Sequence, residues 1–242
     1  MRRGSTATTF IILFLVTLVS TTQIIAQEAN VRTRQDGEPV LYRLFEIQGD
    51  QKSEEISWWL MTAFSTTRAF GGFSKAKEDS ETDPILISPK PAGKTLRFAL
   101  DAIVAAAPEY EWSERNGVVN VFPKKDYKIL DVRIPLFKYE NVTKEVLLNS
   151  LQKAPEFVNS LKMQQINRIP IICCGGICSP KPPTMSINLE NATVREILNE
   201  IVRLNGKSVW RYREYYSSWP NKSRQHYYDL DFMVDYGATC GI

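Results

Sequence analysis

Two stretches of the chain, 98 residues apart, carry the same spacing of apolar side chains. Residues 193–202 place Val194, Ile197, Leu198, Ile201 and Val202 at i, i+3, i+4, i+7 and i+8, the stripe of a helix with one buried face. Thr193 and Glu196 form a capping-box pattern at its start and Gly206 marks its stop. Residues 95–104 repeat the stripe with Leu96, Ala99, Leu100, Ile103 and Val104, and Pro108 ends it. Thr, Arg, Leu, Ile, Val and Trp recur at matched positions, the last pair being Trp112 and Trp210. Such self-similarity marks a duplicated unit.

Both helices are followed by strand patterns. Residues 110–113 and 118–122 flank Asn116-Gly117, a pair that favours the positive φ angles of a hairpin turn. Residues 209–216 and 225–233 make a longer hairpin, in which Tyr228, Leu230 and Phe232 point inward and Asp229 and Asp231 outward. Upstream, Leu44-Phe45-Glu46-Ile47 pairs more weakly with Leu136-Phe137-Lys138-Tyr139, each predicted as a strand leading into a further helix. Those helices cover residues 53–64, burying Ile56, Trp59, Leu60, Ala63 and Phe64, and residues 143–154, burying Val146, Leu147, Leu151 and Ala154 before a stop at Pro155. Residues 71–84 and 169–184 read as variable loops. The predicted class is α+β: two tandem small domains, each with two helices packed on short β-sheets. Their boundaries fall at 40–124 and 130–235, with a Cys-rich loop at 169–184 and a tail at 236–242.

Composition adds an address. Arg2 and Arg3 precede the apolar run 10–19, which reads as a signal peptide over residues 1–26, followed by a linker over 27–39. The run is shorter than the roughly 20 residues of a membrane span, so no transmembrane span is expected after cleavage and the location is periplasmic or secreted. In an oxidising compartment Cys173, Cys174, Cys178 and Cys240 are disulfide candidates. A bond between adjacent Cys173 and Cys174 would strain the peptide, so Cys178 and Cys240 are each expected to take one of that pair. The balance of 30 Lys+Arg against 27 Asp+Glu excludes a dedicated nucleic-acid binder. A single histidine, His226, excludes His-rich zinc sites.

The run Met185-Ser186-Ile187-Asn188-Leu189, followed by Thr193-Val194-Arg195-Glu196-Ile197-Leu198, resembles the strand and Thr-capped helix of the STN domain. This is the short periplasmic module at the N-terminus of secretins and TonB-dependent transducers. Leu86-Ile87 and the helix from Thr95 are the weaker first copy, in which Pro89 and Pro91 interrupt the strand. The resemblance implies a compact sandwich of two helices between small sheets, acting through protein contacts without catalysis. No secretin ring segment or receptor barrel occurs in this sequence, so the partner is expected to be a separate molecule.

Candidate chemistry is sparse. Ser88-Pro89-Lys90-Pro91-Ala92-Gly93-Lys94-Thr95 ends like a phosphate loop but lacks its first glycine, and two prolines remove amides that would hold phosphate. Asn141 and Asn191 begin glycosylation sequons at equivalent helix starts, where capping already accounts for the Asn and Thr. The hairpin 207–228 is the most unusual surface. There Arg211, Arg213 and Arg224 are interleaved with Tyr215, Tyr216 and Trp219, side chains that concentrate binding energy at interfaces and on glycans, and Glu214 alone is expected to oppose the cations. Asp229, Asp231 and His226 are not fixed in one cleft by any motif. The sequence therefore predicts an exported, non-enzymatic interaction module of the bacterial envelope with no catalytic residue, metal or cofactor. An envelope or secreted protein is the expected partner, and a glycan or cell wall bound by the hairpin is the alternative.

Overall fold

The computed structural model describes residues 39–45, 53–79, 86–91, 93–125, 127–168, 183–206, 208–218 and 223–233. The signal peptide, the linker up to residue 38, the four cysteines and the tail from residue 236 lie outside them. In the first unit a 3-10 turn, Val40–Tyr42, leads to β1 (Glu54–Glu55), α1 (Ile56–Thr67), β2 (Gly71–Asp79), β3 (Leu86–Ile87), α2 (Leu96–Ala106), β4 (Tyr110–Arg115) and β5 (Val118–Pro123). The second repeats this order with one added helix, α4: a 3-10 turn, Lys128–Asp131, then β6 (Arg133–Thr143), α3 (Lys144–Lys153), α4 (Pro155–Met163), β7 (Ile166–Arg168), β8 (Thr184–Thr193), α5 (Val194–Asn205), β9 (Val209–Ser217) and β10 (Gln225–Met233). The fold is α+β.

α5 forms as its stripe requires. Thr193 Oγ1 accepts from the Glu196 amide and the Glu196 carboxylate accepts from the Thr193 amide, completing the capping box, while Gly206 ends the helix at φ 65°. α1 starts three residues later than the 53–64 reading. Glu54 and Glu55 pair with Ile87 and Leu86 instead, and Arg68 closes the helix in the left-handed region at φ 50°. Pro155 ends α3 but also opens α4, because its missing amide is one of the unbonded donors of a first turn.

The repeat extends upstream in a register three residues away from the Leu44–Leu136 match. Leu44 bridges Thr95 while Arg133 pairs with Thr193, so Leu44 corresponds to Arg133. Val40 and Ile129 then coincide in the two 3-10 turns, and both are buried.

The larger correction concerns residues 71–84. Gly71–Asp79 is a nine-residue strand, not a loop. It runs parallel to β5 on one side and to β9 on the other, creating one sheet of order β4-β5-β2-β9-β10-β7 from the two units. Antiparallel pairs β1–β3 and β6–β8 form separate two-stranded sheets. Each unit has its own core, and neighbouring residues of one strand enter different cores: Val209 joins Leu60, Phe64 and Phe73, whereas Trp210 joins Leu151, Leu198 and Leu230. Successive strand side chains alternate between faces, so the two cores lie on opposite faces of the shared sheet. Among the described residues, no helix is long and apolar enough to cross a membrane.

Candidate interaction surfaces

The joint between the units rests on two glycines. A Cβ on Gly72 would lie 1.9 Å from the Trp210 indole, and one on Gly71 would lie 2.0 Å from the Val119 carbonyl oxygen. Only a chain without side chains at these positions can bring β2 against both neighbours. Trp210 is fixed from the other side, its Nε1 donating to Asn199 Oδ1 at 2.8 Å. The first unit repeats this bond, with Trp112 Nε1 donating to Asp101 Oδ1 at 3.0 Å. Trp210 is fully buried between α5 and the β2–β9 pair, while Trp112, on edge strand β4, is half-buried.

The hairpin residues divide between two faces. On the face turned toward the first unit's core, Arg211 stands opposite Asp231 and Arg213 opposite Asp229. Arg211 binds Asp231 at 2.6 Å and Asp229 at 3.4 Å, and Arg213 binds Asp229 at 2.9 Å. This ladder gives Arg211 and Arg213 counter-charges beyond Glu214, the one acid that the sequence reading sets against the hairpin's cations. Burial raises the Asp231 carboxyl above its ordinary value despite the opposing pull of Arg211. Arg213 also lies over the Tyr215 ring, which sits opposite Tyr227. Burial raises the Tyr215 hydroxyl. Beside them Lys75, adjacent to Arg213 across β2–β9, binds Glu55 at 3.2 Å. The Glu55 carboxyl is lowered first by the Ser57 hydroxyl and then by Lys75.

The opposite face carries a buried polar chain. The Tyr212 hydroxyl donates to Glu214 Oε1 at 2.8 Å, and His226 Nε2 lies 2.8 Å from Glu214 Oε2. Burial pushes the Tyr212 hydroxyl well above its ordinary range, with the Glu214 charge adding to it. Tyr216 stacks on His226 with centroids 4.8 Å apart, and Arg224 lies over the Tyr216 ring. Arg211, Arg213 and Tyr215 thus belong to one face and Tyr216 with Arg224 to the other. Trp219 lies outside the described residues.

A cleft of about 420 Å³ opens between the first hairpin's turn and the start of α5. Arg115, Arg133 and Arg203 line it together with Glu190, Glu196 and Glu200. Most of these charges are engaged: Arg133 donates to the Asn191 carbonyl, Arg203 binds Glu200 at 2.6 Å, and Glu196 caps α5. The Thr193 amide holds the Glu196 carboxyl below its ordinary value. Asn191 at φ 49° and Asn141 at φ 53° occupy left-handed positions two residues before the N-caps Thr193 and Thr143, a role for which Asn is suited and which capping alone does not explain. Among the described residues no three His, Cys, Asp or Glu side chains group as a metal site. Comparison with protein-family models, with curated proteins and with solved structures finds no match to this chain.

Proposed function

We propose that this chain is an exported, non-enzymatic interaction module of the bacterial envelope, related in kind to the STN domains it resembles. The observation that carries this reading is the build of the units. Each holds its main helices between a two-stranded sheet and a three-stranded portion of the shared sheet, the arrangement that the resemblance implies. The charged groups that are well placed are engaged with one another, as in the Arg211–Asp231–Asp229–Arg213 ladder, which suits a scaffold better than a reaction centre. The glycan reading has less support, since Arg211 and Arg213 are ion-paired and Tyr216 packs against both His226 and Arg224.

Capture from bacterial envelope extract by the full chain, with brief cross-linking, tests the proposal. One or a few proteins retained in near-stoichiometric amount, and competed by untagged chain, are expected. Background proteins alone, or turnover of an envelope substrate by the purified chain, would count against it.

A further inference from the structure

The duplicated units do not use their equivalent strands equally. In the second unit the outer edge of β9 is filled by β2, running parallel, with Gly72 beneath Trp210. β4 is the counterpart of β9: Trp112 matches Trp210 at the 98-residue offset, and both indoles donate to matched side chains on the preceding helix, Asp101 and Asn199. Yet β4 ends the six-stranded sheet, and no described strand lies on its outer edge. We infer that the outer edge of β4 is a docking slot for a parallel strand of a partner protein that places glycine against Trp112 and a basic residue immediately before it.

The occupant's chemistry follows from the filled copy. Along the β2–β9 joint, Gly71, Gly72, Phe73, Ser74 and Lys75 lie beside Val209, Trp210, Arg211, Tyr212 and Arg213. Transferred by the repeat, the same five positions of an incoming strand lie beside Glu111, Trp112, Ser113, Glu114 and Arg115. A Cβ at the second position would meet the Trp112 indole as one on Gly72 would meet Trp210, so glycine is required there. The first position faces Glu111, which is exposed as is Glu109 beside it, so a lysine or arginine complements it. Main-chain hydrogen bonds supply the affinity, as in other strand additions to a sheet edge. A second copy of this chain does not fit through its own Gly71-Gly72, because both edges of β2 are already paired. β7, at the other end of the sheet, has Ile166-Asn167-Arg168 and no glycine.

This inference rests on the interaction reading above, and its test is separate from capture. The probe is an eight-residue peptide with the sequence of residues 70–77, given lysine in place of its first glycine, added to the full chain. Saturable binding is expected, with hydrogen-exchange protection gained at residues 110–115. Replacing the peptide's second glycine by valine should weaken binding at least tenfold, as should Ser113→Lys or Glu111→Lys in the protein, without a change in thermal unfolding. Absence of binding, protection confined to other strands, or indifference to the glycine-to-valine change would overturn the slot even if capture succeeds. A failed capture with glycine-dependent protection at 110–115 would leave the slot standing and remove the envelope assignment.

Discussion

The Trp210 indole lies directly on the Cα of Gly72, close enough that a Cβ there would fall 1.9 Å from the ring. This one contact joins the second unit's core to a strand contributed by the first. Overpacking a rigid, buried aromatic typically costs 1–3 kcal/mol, so Gly72→Val should lower unfolding stability by about 3 kcal/mol in chemical denaturation. Trp210→Ala should cost about 3–5 kcal/mol through the cavity it leaves. Because the clash needs both partners, the double variant should be less destabilised than the two costs combined. Strict additivity would show that Gly72 and Trp210 do not meet.

Asp229 is shared by two half-buried arginines, at 3.4 Å from Arg211 and 2.9 Å from Arg213. Asp229→Ala should therefore destabilise by about 1–3 kcal/mol, more than a surface ion pair, because a cation in a partly desolvated site loses its counter-charge. The variant should also be retained longer than the wild type on an anionic resin at low salt, with the difference vanishing as salt screens the exposed cations. Equal retention of both proteins would mean that the arginines are not masked in the native ladder.

The helix stripes and the first hairpin were legible because their causes are local. Five apolar residues and a capping box specify α5, and Asn116 and Gly117, at φ 55° and 76°, make the turn that their types favour. β2 was not legible, since Gly71-Gly72-Phe73-Ser74-Lys75 shows no alternation and owes its place to Val119 and Trp210, distant in sequence. The Arg211–Asp231 ladder was hidden for a related reason: it exists only in the register of β9 on β10. The matching spacing of Arg211 and Arg213 with Asp229 and Asp231 about the turn was a signal that could have revealed it. α4 was missed because proline stops a helix from within but starts one from its first turn.

The α5 cap gives a pH-dependent test. The Glu196 carboxyl titrates below its ordinary value, chiefly because it accepts from the Thr193 amide. Its folded form therefore binds protons less readily than the unfolded chain, so the associated stability is present above the ordinary carboxylate range and is lost as pH falls through the folded value. Thr193→Ala should cost about 1 kcal/mol near neutral pH, the usual worth of an N-cap. Glu196→Ala should also destabilise near neutral pH, and its deficit should shrink toward pH 3. A Glu196→Ala deficit that stays constant from pH 7 to pH 3 would show that the carboxylate does not cap the helix.

Asn120 is the clearest local cost in the shared sheet. It lies on β5 beside Gly72, is buried to 3% exposure, and its Oδ1 has no hydrogen-bond partner among the described residues. Its strand neighbours Val119 and Val121 point into the first core, so the amide points to the other face, between the sheet and α5. Burying a carbonyl without a donor forfeits its hydration and returns nothing, whereas an apolar side chain of similar size gains from the same burial. Asn120→Val places a β-branched residue in a central strand and removes the unmatched oxygen, and should raise stability by about 1 kcal/mol in urea unfolding with an unchanged m value. The change should be independent of pH, since no titrating group is altered. A loss of stability instead would show that the Asn120 amide forms an interaction that helps hold β5, β2 and α5 together.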